Sequence, residues 1–244
     1  MFDRHPRYKT SLISSPGTSV LSDTPGVFNL FGMENFNELL DELQAPKGFK
    51  KFAKKKTIEK LVNDCPKGKW LLFLAHRLNV DSQRLTLAKG LCGGTVSHMM
   101  RNDHSLNAIN SAIKYGEGEI TAQDLNDADN DAREALIPDK INIEYEDNGI
   151  NVYKSFIYEN NHPAAVAACF VADINCQAEQ VAIYTAKASA NFAGYNAALW
   201  DCDESAVYEA RMEGKSENEM KTANICREMI GFEIIEKVNE LLEE

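Results

Sequence analysis

The residues of this sequence best suited to chemistry are acids that follow a Gly-x-Gly break. Glu117 and Glu119 flank Gly118, and the stretch QDLNDADNDAREA follows shortly after. At 100° per residue of an α-helix, four acids of that stretch fall within an arc of about 80°. Such a ladder could ligate a metal, bind a basic protein or face solvent. The six acids, called here the acidic surface, are Glu117, Glu119, Asp124, Asp127, Asp131 and Glu134.

The spacing of the ladder disfavours a calcium site. Asp127, Asp129 and Asp131 alternate as at the start of a calcium loop, which also requires a glycine at its sixth position and a carboxylate at its twelfth. Those two positions hold Ala132 and Pro138. The apolar residues of the same stretch occupy a neighbouring arc, which is typical of an amphipathic helix with its acids outward. We therefore expect no metal and no cofactor, and the alternatives are a solvated face and a partner surface.

A second charged segment, Lys47 to Lys69, carries nine lysines against two acids. Clustered lysines release counterions from phosphates, and interleaved aromatic residues can stack on bases. The alternative is an amphipathic helix whose lysine face is solvated or docks on the acidic part of its own chain. The candidate residues for binding an anionic partner are Lys50, Lys51, Lys54, Lys55 and Lys56.

A cysteine nucleophile is the third candidate. Cys92 precedes Gly93 and Gly94, with His98 and His104 downstream, and a Cys–His pair needs only spatial proximity to act. However, free cysteine is commonly buried as a small apolar residue, and no phosphate-binding glycine loop or hydrolase motif occurs. The residues therefore favour a non-enzymatic protein, with a Cys/His enzyme as the less favoured alternative.

Composition and charge narrow the class of protein. The apolar content of 44% and charged content of 26% are ordinary for a globular chain. The net charge of −11 is uneven, because residues 1–69 hold 12 basic and 8 acidic residues whereas residues 70–244 hold 14 and 29. Most of the surface should therefore repel nucleic acid. Without a long apolar run or a signal pattern, we expect a cytoplasmic protein that does not associate with membranes.

The chain divides into three segments by composition. Residues 1–26 are rich in Ser, Thr, Pro and Gly and predict an extended N-terminal arm. Residues 27–69 predict a helical, lysine-rich extension, and residues 70–244 an alanine-rich helical domain. Within that domain, residues 163–200 contain 13 alanines, whose small side chains favour closely packed helices.

One region departs from helical spacing. Polar and apolar residues alternate around Asn148-Gly149, a strong signal for a two-residue hairpin turn. We therefore predict a mainly α multi-helix bundle with one inserted β-hairpin near 141–156.

Several helix boundaries follow from capping residues. Asp81 can accept hydrogen bonds from the first-turn amides of a helix, and either Asp103 or Ser105 is expected to start the next one. Thr121 with Asp124 resembles a capping box and predicts a helix start there. Residues 70–78, WLLFLAHRL, are apolar on nearly every side and predict a central buried helix.

Three stretches together resemble a known family. CGGTVSHMMRNDHSLNAINSAIKYGEGEI, LNDADNDAREA and AAVAACFVADINCQAEQVAIYTAKASANFAGY resemble the alanine-rich helical immunity proteins of bacterial polymorphic-toxin systems and their phage-encoded relatives. The likeness covers residues 70–195. His104 stands where the family has arginine, and the predicted hairpin looks like an insertion. The matching residues are Cys92, Asp103, Ser105, Ala108, Ile109, Tyr115, Gly118, Glu119 and Ile120.

The resemblance implies a non-enzymatic protein that covers another protein. Its partner would be a toxin or another protein with a basic surface, bound through the acidic surface. The alternative is a phage structural or nucleic-acid-associated accessory protein that attaches through Lys47–Lys69. The sequence leaves the oligomeric state and the identity of the partner open.

Overall fold

The computed structural model describes residues 36–100, 102–136, 163–200 and 203–243, and their regular elements are all helical. The predicted mainly α class is thus confirmed. The predicted arm at 1–26 and hairpin at 141–156 lie outside the described residues, among which no strand occurs. In chain order the helices are α1 (36–42), α2 (Lys47–Ala53), α3 (Ile58–Asp64), α4 (Gly68–Arg77), α5 (Ser82–Gly94), α6 (Asp103–Gly116), α7 (Ala122–Leu136), α8 (163–172), α9 (Glu179–Trp200) and α10 (Glu204–Glu243).

The last two helices form a long antiparallel pair. α10 has 40 residues and is therefore about 60 Å long. Small residues let the two axes approach, because a side chain at Gly194 would collide with Arg211 and one at Gly214 with Ala193. α9 and α10 both also pack on α4 and α5. This pair is the spine on which the shorter helices are arranged.

α4 is the buried centre of the molecule, as its apolar sequence predicts. Its residues 71–75 are all buried, and they belong to one core cluster with the buried side chains of α5, α9 and α10. Aliphatic residues on every side of a helix require neighbours on every side. α5, α9 and α10 provide them.

The lysine-rich extension packs on the same core. Phe49 of α2 is fully buried, stacks on Trp70 with ring centroids 5.4 Å apart and meets Phe73 edge-on. Leu61 and Val62 of α3 are buried in the same cluster, and α3 contacts α10. The core therefore continues across the boundary at Trp70, and the division into domains at that residue stays a prediction.

Capping groups define the starts of α5 and α6. The Asp81 carboxylate accepts from the Arg84 backbone N–H at 2.9 Å, as expected. α6 begins at Asp103, one of the two residues predicted to start it, and Asn102 is the N-cap, whose side chain accepts from the His104 N–H at 2.7 Å. Asparagine is among the best capping residues, so Asn102 takes this place before Asp103 can.

Two glycines on α5 let neighbouring helices approach closely. A side-chain carbon on Gly90 would lie 2.8 Å from Ile113 Cγ1 of α6, and one on Gly93 would lie 2.7 Å from Val171 Cγ2 of α8. Both distances are too short for carbon atoms in contact. The helix itself runs on to Gly94, so the glycines serve close packing and do not interrupt it.

Candidate functional site

The acidic surface lies on α7 and on the turn before it. α7 buries Leu125 and Ala128 while packing on α6, so the carboxylates on its other side point outward. Glu117 and Glu119 lie in the turn between the two helices, where Gly118 adopts a φ of +77° that favours glycine. All six acids predicted from the sequence are exposed, and the structure brings them onto these two adjacent elements.

Hydrogen bonds at the start of α7 order part of this surface. The Asp124 carboxylate accepts from the Thr121 N–H at 2.9 Å and from its hydroxyl at 2.7 Å. These bonds lower the pKa of Asp124, because they favour the charged form. Asp127 accepts from the Gln123 amide at 2.7 Å. The capping box predicted at Thr121 is thus confirmed.

The carboxylates of the acidic surface are not held in ion pairs in the described ranges. None of the ion pairs found there includes any of the six acids. Its field is therefore directed at solvent and at whatever approaches from solvent.

A neighbouring acid of the same ladder has a different role. Asp129 is 8% exposed, and both its oxygens accept from Arg133 Nε, at 2.9 and 2.8 Å. Arg133 Nη2 also binds Asp173 Oδ2 at 2.7 Å, so the guanidinium links α7 to the turn after α8. Burial raises the pKa of Asp129, although the Arg133 hydrogen bond opposes this. This contact was not predicted from the sequence, although the i,i+4 spacing of Asp129 and Arg133 indicates it.

A buried lysine was also missed. Lys89 of α5 is 1% exposed, and its ammonium donates to the carbonyls of Asp173 at 2.6 Å and Phe170 at 3.2 Å. Burial lowers the pKa of Lys89, since desolvation disfavours the charged form. The signal was its spacing, because Lys89 lies four residues after buried Leu85 and three before buried Cys92.

A cavity of about 360 Å³ lies beside Lys89 and is also lined by His76, Thr86 and Cys176. The Cys176 thiol is 3.8 Å from the Lys89 ammonium. A lysine ammonium has three protons, and two carbonyls and this sulfur provide three acceptors. Lys89 therefore holds the C-terminal end of α8 and does not offer a free ammonium to a ligand in the cavity.

The lysines of the extension divide into paired and exposed ones. Lys50 pairs with Asp41, and Lys56 pairs with Asp64 at 2.7 Å. The acids that meet these two lysines belong to the extension itself. The remaining candidates are exposed at the end of α2 and in the turn after it: Lys51, Lys54 and Lys55.

Cys92 and the histidines after it lie in different environments. Cys92 is fully buried, with its sulfur 3.9 Å from Cys226 Sγ and 3.8 Å from the Thr222 carbonyl oxygen. His98 is exposed and packs edge-on against Phe192, and His104 is exposed at the start of α6. The polar neighbours of the Cys92 thiol are therefore a second thiol and a carbonyl.

Neither metal clusters nor relatives point to another site. Within the described ranges, no group of three or more His, Cys, Asp or Glu residues could hold a metal ion. The helices found there are not long and apolar enough to cross a membrane. Comparison with family models, curated proteins and solved structures found no match for this chain.

Proposed function

We propose that the protein is a cytoplasmic, non-enzymatic binding protein that covers a basic surface of another protein with its acidic surface. The observation that carries this proposal is that six exposed acids on α7 and the preceding turn have no ion-pair partner in the described part of the chain. Like charges held close together on one face repel each other. A cationic partner relieves this repulsion and gains complementary contacts.

The resemblance to immunity proteins of toxin systems supports the same reading. A toxin that acts on nucleic acid must present a basic surface to phosphates, and an inhibitor with a complementary field associates with it quickly. The acidic balance of residues 70–244, 14 basic against 29 acidic residues, extends that attraction beyond the contact itself. The partner proposed here is therefore a basic toxin or a protein of similar surface charge.

Charge reversal at two positions tests the proposal. We expect Asp127→Lys with Asp131→Lys to weaken capture of the partner in the native host at least tenfold, because two attractive contacts become repulsive. Glu236→Lys with Glu240→Lys is the matched control, since these acids are also exposed, helical and four residues apart. Equal capture by the two double variants, or capture that salt does not weaken, would contradict the proposal.

A second candidate function is attachment to an anionic partner, and nucleic acid is the partner that the experiment below tests. It is favoured by the exposure of Lys51, Lys54 and Lys55 on one short stretch. We expect binding of a single-stranded oligonucleotide at low salt, weakened when all three are changed to glutamine. Binding by the triple variant that matches the natural chain would exclude this function for the segment.

A further inference from the structure

The distal part of the α9–α10 hairpin stands away from the core. None of its described residues between 195 and 213 is buried, although this stretch contains large apolar side chains. Trp200 is 91% exposed and Tyr208 65%, which is far above what tryptophan and tyrosine usually show. We call the described residues of this stretch, 195–200 and 203–213, the hairpin tip. Its other exposed apolar side chains are Leu199 and Met212.

The register of the hairpin brings these side chains to similar heights along its axis. Gly194 lies against Arg211, and Gly214 lies against Ala193. These two contacts fix which residues of the antiparallel helices face each other. On that register Ala197 faces Tyr208, and Trp200 is then within one helical turn, about 5 Å along the axis, of Tyr208. The tip therefore presents both exposed aromatic side chains within about one helical turn of each other along its axis.

Charge indicates which partner the tip fits. Its described residues include four acids and one base, Arg211. Two copies of the tip would bring these acids together, which disfavours self-association, and an anionic lipid surface would also repel them. A basic surface attracts them. The acids among the described residues of the tip are Asp203, Glu204, Glu209 and Glu213.

We propose that the hairpin tip binds a basic amphipathic helix of a partner protein. Trp200 and Tyr208 insert into the apolar face of that helix, and the acids of the tip contact its lysines and arginines. Tryptophan and tyrosine are the side chains that most often dominate binding energy at interfaces, and a helix that lies along two others completes a three-helix arrangement. The tip lies on other helices than the acidic surface, so this inference is independent of the proposed function.

Trp200 itself can report the contact. The chain has two tryptophans, and replacing the other one in Trp70→Phe leaves Trp200 as the single emitter. The probe is a synthetic helical peptide with leucines at i, i+3, i+4 and i+7 and lysines elsewhere. We expect its addition to shift the Trp200 emission to shorter wavelength, because the indole leaves water. A peptide with the same leucines and glutamates in place of lysines is expected to leave the emission unchanged.

Variants locate the contact on the tip. In binding measured by calorimetry with the natural Trp70, Trp200→Ala is expected to weaken the lysine peptide by roughly thirtyfold, the factor that about 2 kcal/mol corresponds to. Glu209→Lys with Glu213→Lys is expected to weaken it at least tenfold. Glu236→Lys with Glu240→Lys, reversed at the same spacing on an exposed part of α10 outside the tip, is expected to bind normally. Circular dichroism checks that each variant keeps its helical content.

Several results would overturn the inference. Equal binding of the lysine and glutamate peptides would remove the role of charge, and normal binding by Trp200→Ala would remove the aromatic contact. A dimer in sedimentation that Trp200→Ala abolishes would identify a second copy as the occupant instead. An emission shift with neutral phosphatidylcholine vesicles would identify a lipid surface.

Discussion

At the scale of single residues, the buried charges of this fold are expected to affect its stability more than the exposed charges do. Lys89 is enclosed by α5, α8 and the turn after α8, with main-chain carbonyls as its closest partners. Carbonyls at a helix C-terminus carry partial negative charge, which favours an ammonium there. The cost is desolvation, which exceeds the attraction and lowers the pKa of the lysine. The free energy of unfolding should therefore change with pH in the alkaline range because of Lys89.

The sign of that dependence follows from linkage. Above the folded-state pKa of Lys89 and below about 10.4, the usual value for lysine, the unfolded chain binds more protons than the folded chain. The free energy of unfolding then rises with pH, by at most about 1.4 kcal/mol per pH unit. We expect the natural chain to gain stability relative to Lys89→Met across this window in urea unfolding. Lys221→Met, at an exposed position of α10, controls for loss of a charge, and parallel profiles for natural chain and Lys89→Met would contradict the prediction.

A second prediction concerns the buried carboxylate. Arg133→Met leaves the Asp129 carboxylate without the Arg133 Nε–H that its two oxygens share, and a buried polar group left unpaired costs about 1–3 kcal/mol. We expect that loss of stability at neutral pH and a smaller one in acid, because Asp129 is then protonated. Lys237→Met breaks the exposed Lys237–Glu240 pair and should change stability by less than about 1 kcal/mol. Similar losses in the two variants, measured by urea unfolding, would refute the prediction.

At the scale of elements, sequence patterns predicted individual helices better than the contacts between helices. The stripe of α7, the cap at Asp81 and the buried α4 could be read from spacing, because each depends on residues close in sequence. The link from Arg133 to Asp173 could not, since it joins residues 40 apart and depends on how α7 and α8 meet. Lys89 was missed for the same reason, because its buried position depends on carbonyls at the end of α8 and in the turn after it.

The close approach of α5 and α6 gives the third prediction. A side-chain carbon on Gly116 would lie 2.4 Å from Leu87 Cβ and 2.8 Å from Leu87 Cα, and main chain cannot move aside as a side chain can. We expect Gly116→Ala to destabilise the protein by about 1–3 kcal/mol, measured by thermal unfolding. Gly94→Ala is the matched control, because nothing lies within 4 Å of its added carbon and alanine favours the helix. If Gly116→Ala were as stable as Gly94→Ala, the helices would be further apart than described.

At the scale of the whole molecule, one core joins segments that composition separates. The lysine-rich extension looked like an attachment because its charge differs from that of residues 70–244. Its apolar residues nevertheless belong to the central cluster, and Phe49 stacks on Trp70 of α4. Charge patterns report on surfaces, whereas the extent of a core depends on which apolar faces meet, so the two need not agree.

The fourth prediction is that this shared core unfolds cooperatively. Phe49→Ala removes a fully buried ring, a change that costs about 3–5 kcal/mol, and a core shared by α2, α4 and α10 should transmit that loss to every helix. We expect one thermal transition, followed by circular dichroism, at a temperature lower by roughly 10 °C. Changing Lys51, Lys54 and Lys55 to glutamine alters only exposed charge and should leave the midpoint in place. An early partial transition in Phe49→Ala, with the main one unmoved, would mean instead that the extension folds apart from residues 70–244.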